Sequence, residues 1–197
     1  MIRAALVVAL LSGSAAAQEM PALHDVTGVA ADDVLNVRSG PDAGSARIGA
    51  LAPGGTGIEV VELSGTGWGR INVDEGSGWV SLRYLARHPD QPPVPERLTC
   101  FGTEPFWSLV REGNAARYAT PDDPEVLLAV AWSTESSVPG RFALGLQGPD
   151  QSLRAVIRRE LCSDGMSDRV YGMSVDLVID GGTDGAALLA GCCTLAR

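Results

Sequence analysis

The chain has 197 residues and a formal net charge of −9, with 15 Lys+Arg against 24 Asp+Glu. So acidic a balance excludes the broad basic face that a phosphate backbone requires, and nucleic acid is not an expected partner. Every basic side chain is an arginine, and with 45% hydrophobic but only 5% aromatic residues the chain has apolar material for one or two modest cores.

At the N-terminus, Arg3 precedes an apolar run at residues 4–11, then Ser12-Gly13-Ser14 and Ala15-Ala16-Ala17. A short positive region, an apolar core and a small-x-small end predict a secretory signal peptide over 1–17, with the mature chain starting at Gln18. The run is too short to span a bilayer, which takes about 20 residues. No cysteine sits beside the cleavage point, so no membrane anchor is expected in the mature chain, and the localisation expected is periplasmic or secreted.

Residues 23–87 show short apolar runs punctuated by turn residues and no sustained helical period, which predicts a small β-barrel. Strands are expected at 34–37, 48–51, 58–63, 68–73 and 79–80, separated by turns at 38–42, 52–55, 64–67 and 74–78. Ser81-Leu82-Arg83-Tyr84 reads as a single helical turn before the last strand. Three phrases stand in this region: Leu35-Asn36-Val37-Arg38-Ser39-Gly40-Pro41, Ile48-Gly49-Ala50-Leu51, and Gly78-Trp79-Val80-Ser81-Leu82-Arg83-Tyr84-Leu85. In this order and spacing they resemble the bacterial SH3 (SH3b) family. The resemblance implies a small barrel that binds cell-wall or protein ligands and performs no chemistry. It gives Asn36, Arg38, Gly40 and Pro41 the task of fixing the first long loop, and makes Arg38, Trp68, Trp79 and Tyr84 candidate ligand-binding residues. Trp79, followed by Val80, is expected mostly in the core; Trp68, beside the glycine-rich turn, is expected half exposed and available to a ligand.

Residues 88–97 follow, with prolines at 89, 92, 93 and 95. That density favours an extended polyproline segment, expected to act as a semi-rigid spacer.

Residues 98–197 again read as β. A hairpin is expected where 106–111 and 116–119 flank Glu112-Gly113-Asn114, and further strands at 126–132, 142–146, 175–179 and 187–190. The segment 153–161 is ambiguous between strand and short helix. The spacing predicts a closed barrel or a sandwich, so that the fold class is all-β with two small β modules. Cys100, Cys162, Cys192 and Cys193 all lie in this half. An even count in an exported protein predicts disulfides. Adjacent cysteines rarely pair, which leaves Cys100 and Cys162 each reaching one of Cys192 and Cys193. Paired C-x₂-C hooks are missing and His24 and His88 lie outside this half, so neither a metal nor another cofactor is expected.

Three phrases here, Cys100-Phe101-Gly102-Thr103-Glu104-Pro105-Phe106-Trp107, Cys162-Ser163-Asp164-Gly165-Met166-Ser167-Asp168 and Gly191-Cys192-Cys193, resemble an uncharacterised family of bacterial exported proteins and lipoproteins. That resemblance brings no activity with it. Glu104, Asp164 and Asp168, drawn together by the bridges, would make a carboxylate pair or cation site, with Trp107 and Met166 walling an apolar pocket. The simpler reading makes Trp107 core and gives the carboxylates to loop ordering. No nucleophile–base pair is in view, so no catalytic residue is assigned. The function expected is non-catalytic binding of cell-wall peptide or an envelope protein. A peptidoglycan hydrolase or amidase accessory, and an inhibitor or chaperone-like partner of an envelope enzyme, are the alternatives.

Overall fold

The computed structural model describes residues 19–89, 91–181 and 185–195, so the expected leader and Gln18 lie outside the described residues. The chain is all-β, with one 3-10 turn at Leu82–Tyr84 among the described residues. Its first half contains β1 (Ala22–Val26), β2 (Leu35–Arg38), β3 (Arg47–Leu51), β4 (Ile58–Val60), β5 (Glu62–Leu63), β6 (Trp68–Val73), β7 (Gly76–Ser81) and β8 (Leu85–Arg87). They form two sheets, β4-β1-β8 and β3-β2-β7-β6-β5. Both sheets contribute to one small core, in which Val26, Leu35, Val37, Ile58, Val60, Ile71 and Val80 are buried. Alternation along each strand is what supplies this core, because successive side chains point to opposite faces.

The second half contains β9 (Arg97–Thr103), β10 (Phe106–Glu112), β11 (Ala115–Ala119), β12 (Val126–Glu135), β13 (Arg141–Gln147), β14 (Gln151–Arg158), β15 (Met173–Gly181) and β16 (Ala187–Thr194). These eight close into an antiparallel barrel in the order β10-β11-β12-β13-β14-β15-β16-β9. The expectation of a barrel or a sandwich thus resolves as a barrel. Pairing of β16 with β9, with Cys193 opposite Cys100, closes it. The ambiguous segment is strand β14: Leu153, Ala155 and Ile157 turn inward with no exposure, while neighbours on both sides supply its backbone partners. A helix there would have buried the wrong faces and left two sheet edges unpaired.

Both bridges are formed, Cys100–Cys193 and Cys162–Cys192. Adjacent cysteines on one strand must face opposite sides of it. Cys193 therefore joins its cross-strand neighbour inside the barrel, and Cys192, on the outside, ties down the long β14–β15 connection through Cys162.

The proline-rich segment departs from the expected spacer. Gln91 acts as a strand neighbour for Leu23, accepting its N–H at 2.7 Å and donating to its carbonyl at 3.0 Å. Val94 packs against the barrel core. Arg111 donates to the Pro95 carbonyl at 2.8 Å, Arg159 to the Pro93 carbonyl at 3.1 Å, and the Gly113 N–H to the Glu96 carbonyl at 2.8 Å. An extended proline-rich chain offers carbonyls without internal partners, and two arginines and a turn amide take them up. The segment is a strap fastened to both halves.

Candidate functional site

The outer face of the five-stranded sheet gathers most of the candidates from the first half. In β6 the residues Gly69 and Ile71 are buried, so Trp68 and Arg70 point away from the core; in β7 Gly78 and Val80 are buried, so Trp79 and Ser81 do the same. Trp68 is paired with Ser81 and Arg70 with Trp79, which puts all four on one face. Pairing of Glu62 with Arg70, and of Arg38 with Trp79, extends the row across four adjacent strands: Glu62, Arg70, Trp79, Arg38.

This corrects the expected place of Trp79. It is half-buried on the outer face, and Val80 alone enters the core. The two cannot share a side, and the smaller β-branched side chain is the one that fits between the sheets. Trp68 is half-buried, as expected from its turn. Tyr84 instead packs against the small core, and its carbonyl accepts the Thr27 N–H at 2.9 Å, so it belongs to the support of the barrel.

The guanidinium of Arg70 lies 5.9 Å from the centre of the Trp79 ring system, within the range of a cation–π contact. Arg70 is held there by Glu62 at 3.4 Å and by Ser77, whose hydroxyl accepts from Nε at 3.0 Å and Nη2 at 2.9 Å. Arg38 spends one donor on the Ser45 carbonyl, at 2.8 Å, and thereby fastens the first long loop. That loop is ordered mainly by Asp42, whose carboxylate accepts the N–H of Gly44 at 2.8 Å and of Ser45 at 2.9 Å. Hydrogen bonds from Ser45 and Gly44 hold the Asp42 carboxyl below its usual range. Each arginine carries five N–H donors, so both keep donors for a ligand after these contacts. Arg70 and Glu62 were missed by sequence reasoning; the signal was Arg70 standing two residues after Trp68 in a strand.

In the second half the three carboxylates do not gather into one cluster, while Asp164, Trp107 and Met166 do line one groove. Trp107 points into the barrel, beside Tyr118 with ring centres 6.4 Å apart. Gly102 lies directly opposite, and a Cβ there would come within 2.1 Å of the indole nitrogen. Gly191 is equally constrained, since its Cβ would meet the Phe101 carbonyl oxygen at 2.0 Å. Two glycines of the quoted motifs thus make room for one tryptophan.

Asp164 orders its own loop. Its carboxylate accepts the N–H of Met166 at 3.0 Å and of Ser167 at 2.9 Å, and the Tyr171 hydroxyl at 3.3 Å. Desolvation pushes its pKa up, but the hydrogen bonds from Ser167, Met166 and Tyr171 outweigh it and leave the group below the usual carboxylate range. The Asp168 N–H donates to the Glu75 carbonyl at 3.0 Å, so this residue serves the junction with the first half. Glu104 is exposed in the β9–β10 turn. That groove, of about 540 Å³, brings Phe106, Trp107, Met166, Asp164 and Arg169 beside Glu75 of the first half. Among the described residues no three His, Cys, Asp or Glu side chains are grouped to hold a metal ion.

Residues 33–86, which carry the outer-face row, match the bacterial SH3 domain family. No curated protein and no solved structure matches the chain.

Proposed function

We propose that this chain is an exported, non-catalytic binding protein whose SH3-like half engages the peptide of the bacterial cell wall. The observation that supports it most is the row Arg70, Trp79, Arg38, carried by a domain of the bacterial SH3 family. A guanidinium on either side of a half-buried indole suits a short chain ending in a carboxylate: arginine takes the carboxylate in a fork, and the ring covers the aliphatic part. Wall peptides have that chemistry. The disulfides are compatible with an oxidising compartment outside the cytoplasm, and they engage all four cysteines, so no thiol serves as a nucleophile.

The full chain is acidic overall, so recognition is short-range and only mildly weakened by salt. Co-sedimentation of the intact protein with purified peptidoglycan, at low and high salt, tests this. The expected result is protein in the pellet at both, released by a soluble peptide with a free C-terminal carboxylate and not by its amide. Protein that stays in the supernatant at both salt concentrations overturns the cell-wall reading and leaves an envelope protein as the ligand to seek.

A further inference from the structure

The SH3-like half meets the barrel through separate attachments. One is made by the end of β16 and the residues next to the strap: Glu59 accepts from Thr194 and Leu195, and Arg159 donates to the Pro21 carbonyl at 3.0 Å. The other is made by the β14–β15 connection, where Asp168, Arg169 and Val170 bond to Glu75, Asp74 and Asn72 of the β6–β7 hairpin. A cleft of about 410 Å³ lies between the halves, and Glu59, Leu195, Asn72, Asp74 and Arg169 all border it. With both attachments in place the angle across that cleft is set. With the second released, the first becomes a hinge.

The second attachment depends on the outer disulfide. Its loop closes on itself at the neck, where Cys162 and Tyr171 exchange backbone hydrogen bonds at 2.8 and 2.9 Å. Cys162, at that neck, is bound to Cys192 of β16, which is the covalent tie from the loop to the barrel wall. Beside it stand weaker contacts: the Thr103 hydroxyl donates to the Asp164 carbonyl at 3.0 Å, and the Phe101 and Tyr171 rings meet edge-on at 4.9 Å. Cys162 is half-buried at the surface, within reach of an attacking thiolate, whereas Cys100 and Cys193 are fully buried inside the barrel.

We propose that the Cys162–Cys192 bridge is a redox clasp: oxidised, it locks the two halves at one angle; reduced, it leaves them joined by a hinge at Glu59 and the strap. The reductant is a dithiol. Its thiolate attacks the Cys162 sulfur and displaces the Cys192 thiolate; its second thiol then attacks the mixed disulfide and releases Cys162. Two electrons and two protons pass to the protein, and the reductant leaves as a disulfide. Cys100–Cys193 stays closed and keeps the barrel intact.

Residual dipolar couplings of the intact, weakly aligned protein read the angle. Oxidised, the couplings of both halves are expected to fit a single alignment tensor. After dithiothreitol opens the outer bridge they are expected to need a separate tensor for each half, while each half still fits its own fold. The Asp168 and Val170 amides then exchange roughly tenfold or more faster, and reoxidation restores the single tensor. Cys162→Ser with Cys192→Ser, without reductant, is expected to match the reduced protein. A single tensor with the bridge open or replaced, unchanged exchange, loss of the barrel's own couplings, or simultaneous opening of Cys100–Cys193 overturns the proposal. None of these outcomes bears on sedimentation with peptidoglycan, which concerns the outer face of the SH3-like half.

Discussion

The side chain of Asn72 makes both hydrogen bonds to the backbone of Val170 that a neighbouring strand would make: Nδ2 donates to the carbonyl at 3.0 Å and Oδ1 accepts the N–H at 3.0 Å. Asn72 lies in the SH3-like half and Val170 in the disulfide-tied loop of the barrel. Around this pair, Arg169 donates to the Asp74 carbonyl at 2.6 Å, and Glu59 accepts the Leu195 N–H at 3.0 Å and the Thr194 hydroxyl. The two halves are therefore joined by directional contacts to backbone groups, which hold orientation as well as proximity.

Asn72→Asp keeps the acceptor and loses the donor, setting a carboxylate against the Val170 carbonyl. The expected cost is about 1–3 kcal/mol, the range for leaving a partly buried polar group unpaired. Hydrogen exchange of residues 168–171 in the intact protein is the measurement. Unchanged protection there would show that the pair does not hold the junction.

The two bridges differ in access. Cys100 and Cys193 are fully buried in the barrel, whereas Cys162 is half-buried on its surface. A mild thiol reductant applied to the native protein is expected to open Cys162–Cys192 first, as read by alkylation and mass spectrometry. Removing that bridge by Cys162→Ser with Cys192→Ser is expected to cost about 3.6 kcal/mol; Cys100→Ser with Cys193→Ser costs more, about 4.7 kcal/mol. The difference follows from loop closure, over a sequence separation of 30 for the outer bridge and 93 for the inner one. Simultaneous reduction would refute the ordering.

Stability is expected to fall on mild acidification because of His24. Its ring is 4% exposed, and desolvation by burial lowers its pKa from 6.5. The unfolded chain then binds a proton that the folded chain refuses. This contribution is fully present above pH 6.5 and is lost as pH falls from there toward the depressed folded value. Urea midpoints on either side of pH 6.5 check it, and His24→Gln should flatten the dependence. Midpoints that rise on acidification would contradict it.

On the SH3-like face, Trp79→Ala should weaken peptidoglycan binding about thirtyfold, because aromatic groups at the centre of a contact commonly carry about 2 kcal/mol. The fold should be kept, since Val80 and not Trp79 fills the core. Tyr84→Ala should do the reverse, lowering stability by about 2–4 kcal/mol while bound peptide contacts the same face. Paired melting and co-sedimentation separate the two effects. A Trp79→Ala protein that sediments like the parent would remove this face from the site.

Gly102→Ala tests the accommodation of Trp107. The added Cβ meets the indole at 2.1 Å, and Tyr118 on the other side blocks retreat. A loss of about 2–3 kcal/mol is expected from overpacking, measured by urea unfolding. Gly102→Ala combined with Trp107→Leu should lose less than the sum of the two single changes.

Much of the all-β character can be read locally. Phe142, Leu144 and Leu146 alternate with Ala143, Gly145 and Gln147, and Val175 and Leu177 flank Asp176, so period two leaves those residues one side on which to be buried. Four cysteines in a chain read as exported implied two bridges, and adjacency implied that Cys192 and Cys193 serve different ones. Which partner each takes was decided by β16 pairing with β9, strands about ninety residues apart whose register is set by closing the barrel core. Trp79 and Val80 show the same limit on a smaller scale. Alternation requires that one face out, but only packing of the second sheet says which. The proline-rich strap lay beyond local reading because Leu23 and Arg159, which take up its polar groups, are distant in sequence; in the row, Glu62, Arg70 and Trp79 are hairpin neighbours, and only Arg38 is brought in from afar by strand pairing.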